Sequence, residues 1–253
     1  MTAWFPRVAP LDSARVRLVC LGGAGTGASE FSSWRLPDWA QLWAALLPGR
    51  ERRIRETPAA TMAELADPLV LQLPSDNTPW VIYGHSFGAL VGYELAHRAE
   101  SRGLPLAGLV VAGSVPPHLQ AARAPVTTDD DETLLRWVLD TGGADPDLLS
   151  DHRFATWLAE DLRTTLRIRR AYPAALPPPL TCPILTLGGA NDPNATAADL
   201  EHWQHYTVGK FTRREIGEGH FFPRTSRVAV VAEVVAFVDE VLGSGPGACS
   251  SFR

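Results

Sequence analysis

The 253-residue sequence predicts an α/β fold, with a mostly parallel central sheet, helices on both faces and a helical insertion. Apolar runs rich in valine and leucine recur at residues 15–21, 80–83, 106–112, 183–187 and 210–216. Runs of this kind suit strands buried on both faces. Segments of helical spacing separate them, and strand-helix-strand order implies parallel strands joined by crossover helices. Between residues 116 and 180 the pattern changes: Pro116-Pro117, an acidic run and Gly142-Gly143 interrupt helix-like stretches at 132–140 and 154–170, and no strand is evident. The expected organisation is therefore a core of residues 1–115 and 181–242, a lid-like insertion of 116–180 over the carboxyl edge of the sheet, and a disordered Gly/Ser/Pro-containing tail of 243–253.

Composition narrows the function classes. The net charge of -5 comes without a basic stripe, so nucleic acid is not an expected partner; the longest like-charge block is Asp129-Asp130-Asp131-Glu132. Cys20, Cys182 and Cys249 form neither a disulfide framework nor a metal-ligand pattern, which fits reduced thiols and a cytoplasmic protein. No apolar run approaches the length of a bilayer span, and the first ten residues lack a basic segment followed by an apolar stretch. Neither secretion nor a membrane anchor is expected.

Taken in order, the first strand stops at Gly22-Gly23-Ala24-Gly25-Thr26-Gly27. This loop lacks the Lys-Ser/Thr ending of a phosphate-binding loop and the Gly-x-Gly-x-x-Gly spacing of a dinucleotide fold. Glycine there instead allows backbone to approach a substrate carbonyl. Trp39, Leu42, Trp43, Leu46 and Leu47 follow helical spacing, so a helix from Asp38 onward is expected against one sheet face, and residues 52–56 read as a short edge strand. Thr61-Met62-Ala63-Glu64 has capping-box form and opens a helix ending at Pro74. After the insertion, the strand at 183–187 runs into Gly188-Gly189-Ala190-Asn191-Asp192-Pro193, a helix covers 197–206, and the strand at 210–216 leads to Gly217-Glu218-Gly219-His220. Residues 227–242, with Val231, Val234, Val235, Val238 and Val241, form an amphipathic terminal helix.

The chemistry centres on Gly84-His85-Ser86-Phe87-Gly88, set between an apolar strand and a helix-prone segment from Ala89. Gly-x-Ser-x-Gly in that setting is a nucleophile elbow, in which a strained turn exposes the serine at a sheet edge. A plain strand-to-helix turn with Ser86 as an N-cap is the competing reading. Two further strand ends supply what a serine nucleophile needs. An imidazole must take its proton, and a carboxylate must orient the imidazole; His220 and Asp192 meet these needs. The chain order Ser, Asp, His is that of α/β-hydrolases rather than of chymotrypsin-like or subtilisin-like enzymes. His85 neighbours Ser86 on a tight turn and is expected to point elsewhere, and Glu218 is the second choice of acid.

These stretches resemble the type II thioesterases of polyketide and nonribosomal peptide biosynthesis. The likeness runs from Leu18 to Leu242, with separations of 106 residues from Ser86 to Asp192 and 28 from Asp192 to His220. It implies an α/β-hydrolase fold, Ser86 as nucleophile, His220 as base, Asp192 as orienting acid, and the backbone N–H groups of Phe87 and Ala24 as the oxyanion hole. The first loop departs from the family's common Phe-Pro-His/Tyr-Ala-Gly-Gly, and Phe87 stands where relatives commonly carry Met; backbone donors survive both changes. The resemblance further implies acyl or peptidyl carrier proteins as partners. No cofactor or metal is implied, since phosphopantetheine arrives on the substrate. Arg163, Arg167, Arg169 and Arg170 are candidate complements to an acidic carrier, or else a solvated helix face. A product-releasing thioesterase, a small-molecule carboxylesterase and a non-enzymatic hydrolase-fold binding protein are the alternatives.

Overall fold

Seven strands make one sheet in the order β1-β3-β2-β4-β5-β6-β7 in the computed structural model of the chain, which describes residues 3–8, 14–173 and 178–243. They are β1 (Arg7–Val8), β2 (Val16–Leu21), β3 (Ala40–Ala44), β4 (Trp80–His85), β5 (Leu106–Ala112), β6 (Ile184–Ala190) and β7 (Phe211–Glu218). β1 pairs antiparallel with β3, and every other pairing is parallel. All six residues of β4 are buried, as a strand covered on both faces requires. The predicted α/β class and its mostly parallel sheet are observed.

Two apolar layers hold the sheet. On one face Leu65, Leu69, Tyr93, Leu95, Trp203 and Tyr206 pack with Val19, Ile82 and Leu109, which brings in α1 (Met62–Leu71) and α2 (Phe87–Ser101). On the other, Phe31, Trp34, Val230, Val234 and Phe237 cover Leu18, Val81, Tyr83 and Val110. α1 begins as its sequence dictates: the Thr61 side chain accepts from the Glu64 N–H at 3.3 Å.

Two expected elements are different. The segment with helical spacing after Asp38 is the strand β3, in parallel register with β2 (Leu18 opposite Leu42, Val19 opposite Trp43). Trp43 packs into one apolar layer, edge-on to Phe5 and Trp80, while Ala40, Leu42 and Ala44 pack into the other, so the polar-apolar alternation that marks a half-buried strand is missing. Residues 52–56 are not an edge strand; Glu51–Arg53 is a 3-10 turn with Arg53 buried, donating from Nη1 to the Leu46 carbonyl at 2.8 Å.

Between β5 and β6 lie α3 (Asp131–Asp140), α4 (Pro146–Leu149) and α5 (His152–Arg170). They share a small core of their own, Leu134, Val138, Leu158, Leu162 and Leu166, against which Ala24 and Phe221 pack from the sheet edge. α6 (Ala197–Glu201) is shorter than expected and continues as a 3-10 turn to Tyr206. α7 (Phe222–Thr225) and α8 (Arg227–Gly243) close the described chain. Gly243 ends α8, and the remainder of the expected tail lies outside the described residues. Among the described residues no helix is long and apolar enough to cross a membrane.

Candidate active site

The elbow can be rebuilt from its glycines. Ser86 joins β4 to α2 at φ 53°, ψ -118°, a conformation that a non-glycine residue adopts only when its surroundings enforce it. A Cβ on Gly84 would stand 2.3 Å from the Gly88 carbonyl oxygen, and one on Gly88 would stand 2.3 Å from the Leu21 carbonyl oxygen. Neither neighbour can yield, because both are backbone of the sheet and helix that form the turn. The two glycines of the motif therefore let α2 start directly against β2 and β4, and Ser86 is left facing the sheet edge.

The second and third strand ends arrive at the same edge. Asn191, at φ 58°, turns the chain after β6 and sets Asp192 inward, 3 % exposed. Gly219 N–H donates to the Ala190 carbonyl at 2.7 Å, tying the acid turn to the loop of His220. His220 Nδ1 lies 2.9 Å from Asp192 Oδ2, and His220 Nε2 lies 2.9 Å from Ser86 Oγ. A carboxylate only accepts, so Nδ1 carries the hydrogen and Nε2 is left to accept from the serine hydroxyl. The Asn194 N–H donates to Asp192 Oδ1 at 2.8 Å, occupying the second carboxylate oxygen. Ser86, Asp192 and His220, picked out from the sequence, are thus brought together. Glu218, the second choice of acid, is exposed at the end of β7.

His85 turns away from the serine, as its place on the turn requires. Its Nε2–H donates to the His220 backbone carbonyl at 2.9 Å. Burial pushes its imidazole down to about 3, and the neighbouring His220 acts in the same direction. A neutral ring is what this hydrogen bond uses.

The glycine loop after β2 passes beside the nucleophile: a Cβ on Gly23 would come within 3.5 Å of Ser86 Cβ. Ala24 follows, and Phe87, as the first residue of α2, offers one of the N–H groups that a helix start leaves without an intrahelical partner. A cavity of about 650 Å³ opens from Ala24 and Gly25 beneath the inserted helices, walled by Val138, Phe154 and Leu158. A second cavity of about 480 Å³ meets it at Gly25, Phe154 and Arg224, and is floored by Phe31, Trp34 and Tyr83. Arg224 closes this region by donating to the Gly143 carbonyl at 2.9 Å and lying over the Phe221 ring.

Sequence reading missed a buried pair, Arg50 and Asp161. Arg50 Nε donates to Asp161 Oδ1 at 2.8 Å, and the two side chains are 4 % and 9 % exposed. One signal was present: Asp161 lies in the apolar stripe of α5 among Leu158, Leu162 and Leu166, where an unpaired charge is too costly to tolerate. The arginines of α5 also resolve. Arg169 is buried and donates to Gln120 Oε1 at 2.7 Å, while Arg163, Arg167 and Arg170 pair with Asp131 and Asp129 of the acidic run.

Sheet topology and this hydrogen-bonded row of acid, imidazole and hydroxyl define an α/β-hydrolase. A family model described as "Thioesterase domain" matches residues 16–238, and the chain belongs to the thioesterase family, enzymes that hydrolyse thioesters. It is 31 % identical over 234 residues to a "Probable cadicidin biosynthesis thioesterase" of Streptomyces griseus, covering 91 % of this chain and 64 % of that protein, so it spans less than two thirds of that relative's length. The gramicidin S biosynthesis protein GrsT of Aneurinibacillus migulanus is 30 % identical over 233 residues, covering 90 % of this chain and 91 % of its own. Among solved structures, RedJ, a thioesterase from the prodiginine pathway of Streptomyces coelicolor, superimposes with a TM-score of 0.80 at 36 % identity, covering 93 % of this chain and 92 % of that one. Other structural neighbours are described as type II thioesterases.

Proposed function

We propose that this chain is a type II thioesterase that hydrolyses acyl groups from the phosphopantetheine arm of acyl or peptidyl carrier proteins, clearing stalled or aberrant acyl chains from a polyketide or nonribosomal peptide assembly line. The observation that carries the reading is the unbroken path Asp192–His220–Ser86, with both hydrogen bonds at 2.9 Å. Ser86 Oγ attacks the thioester carbonyl while its proton passes to His220 Nε2. Asp192 holds the ring in the required tautomer and stabilises the imidazolium. The N–H groups of Phe87 and Ala24 receive the oxyanion of the tetrahedral species. Collapse expels the pantetheine sulfur, which takes the proton from His220. Water, deprotonated by the same ring, then attacks the Ser86 ester, and a second collapse returns the proton to Ser86 and frees the carboxylic acid. Neither metal nor cofactor enters these steps. α3, α4 and α5 act as the lid, and the cavity beneath them takes the acyl chain.

Hydrolysis of acyl-carrier protein, acyl-coenzyme A and simple oxygen esters by the wild type and Ser86→Ala tests the proposal. The expected result is preference for the carrier-bound thioester and loss of turnover in the variant. A strong preference for small oxygen esters, or turnover by Ser86→Ala, overturns it.

A further inference from the structure

We infer that Arg50 and Asp161 are positioning residues that aim the Ala24 N–H, so that the oxyanion hole is assembled only when the lid helix α5 is seated on the sheet edge. The inference rests on the proposed role of Ala24 and concerns how that donor is held. An N–H belongs to the same rigid plane as the carbonyl of the preceding residue, and in a trans peptide the two point in opposite directions. The Ala24 N–H is therefore oriented by whatever holds the Gly23 carbonyl. Arg50 Nη1 donates to that carbonyl at 2.8 Å, and to the Thr26 carbonyl at 2.8 Å. The next peptide plane is held from α5, since the Gly25 N–H donates to Asp161 Oδ2 at 2.7 Å. Both planes flanking the Ala24 Cα are thereby fixed.

The two anchors are themselves joined. Arg50 grips Asp161 with two donors, Nε to Oδ1 at 2.8 Å and Nη2 to Oδ2 at 3.2 Å, with both residues buried. A forked guanidinium on a carboxylate fixes angle as well as distance. Asp161 comes from α5 and Arg50 from the turn after β3, more than a hundred residues apart in sequence. Gly25 is pressed against the same helix: it stands at φ 71°, and a Cβ there would lie 2.6 Å from Leu158 Cδ1. Lifting α5 removes Asp161 from the Gly25 N–H and from Arg50 together, so one plane loses its anchor and the guanidinium that holds the other loses the carboxylate that fixes it, leaving Thr26 Oγ1, 3.0 Å from the Gly23 carbonyl, as the remaining rigid hold. A hydrolase wired in this way has its oxyanion hole only while α5 is seated.

Three variants test this on acyl-N-acetylcysteamine hydrolysis: Asp161→Asn, Arg50→Lys, and the double variant Arg50→Met/Asp161→Leu, which leaves no buried charge unpaired and so protects folding. Each is assayed below its own thermal midpoint. The expected result is a fall in kcat of about ten- to a hundredfold with KM within about threefold, because misplacing an oxyanion donor affects the transition state and not substrate binding. Affinity for a trifluoromethyl ketone analogue, whose adduct with Ser86 is tetrahedral and anionic, should fall by the same factor as kcat/KM. A purely structural role moves neither quantity once the folded fraction is accounted for. Folded variants with wild-type kcat, or with reduced kcat but undiminished affinity for the ketone, overturn the inference. Ser86→Ala in the same assay keeps the two claims apart: turnover there defeats the catalytic reading, whatever the clamp variants do.

Discussion

The Nε2–H of His85 donates to the backbone carbonyl of His220, so the residue before the nucleophile supports the main chain of the general base. The two rings lie with centroids 5.1 Å apart, and His85 is 2 % exposed. His85→Gln keeps an N–H near the same place, whereas His85→Ala leaves the carbonyl without a partner. The alanine variant should lose about 1–3 kcal/mol of stability, the usual cost of an unsatisfied buried acceptor. Its kcat should fall about tenfold as His220 shifts, with the glutamine variant closer to wild type. Denaturant unfolding and steady-state kinetics on both variants check this.

The same histidine gives the protein an acid dependence. Its folded pKa is depressed to about 3, below the ordinary value near 6.5, so in between the unfolded chain takes up a proton that the folded chain refuses. Stability is therefore full above about pH 6.5 and declines as pH falls toward 3. Unfolding free energy measured from pH 7 to pH 4.5 should fall less steeply in His85→Gln than in the wild type. Parallel slopes would contradict the assignment of a buried neutral ring.

Gly88→Ala should not yield a native protein. The added methyl would meet the Leu21 and Gly22 carbonyl oxygens at 2.3 and 2.4 Å, and both belong to backbone that cannot move without opening the sheet. Loss of soluble, cooperatively melting protein on expression is expected; a variant with wild-type melting would mean that the elbow is looser than these contacts allow.

Arg167 and Arg170 already have partners, both on Asp129. The Asp129 carboxyl is held below its ordinary range by these guanidinium groups, Arg170 first. Reversing both charges should loosen the segment ahead of α3 while leaving KM for an acyl-carrier substrate within about twofold. A large rise in KM, with kcat unchanged, would return them to a carrier-docking role.

Much of this was legible in the chain, for a physical reason. A buried parallel sheet demands apolar strands, and its active edge demands glycines and turns at strand ends, so Ser86, Asp192 and His220 each stand after a readable run. The helices at 132–140 and 154–170 were recognisable from spacing, although their ends were set by the Asp130 and Asp151 caps. β3 was not legible, because a strand with apolar side chains on both faces, Leu42 on one and Trp43 on the other, imitates helical spacing over so short a stretch. β1 is two residues long and carries no pattern of its own. Arg50 and Asp161 escaped notice because a charge reads as exposed until its partner, far along the chain, is known. The arginines of α5 were misleading for the converse reason: their acidic partners were in view as the run from Asp129 to Asp131, but nothing in the sequence folded that run back onto the helix.

The central claim is that Ser86 carries the acyl group, and intact-protein mass measurement tests it most directly. Wild-type enzyme mixed with an acyl-N-acetylcysteamine thioester and quenched in acid within the first turnovers should gain the mass of one acyl group, on the peptide that contains Ser86. Ser86→Ala should gain none. An acyl group on another residue, or turnover by Ser86→Ala with no acylation, would contradict the account.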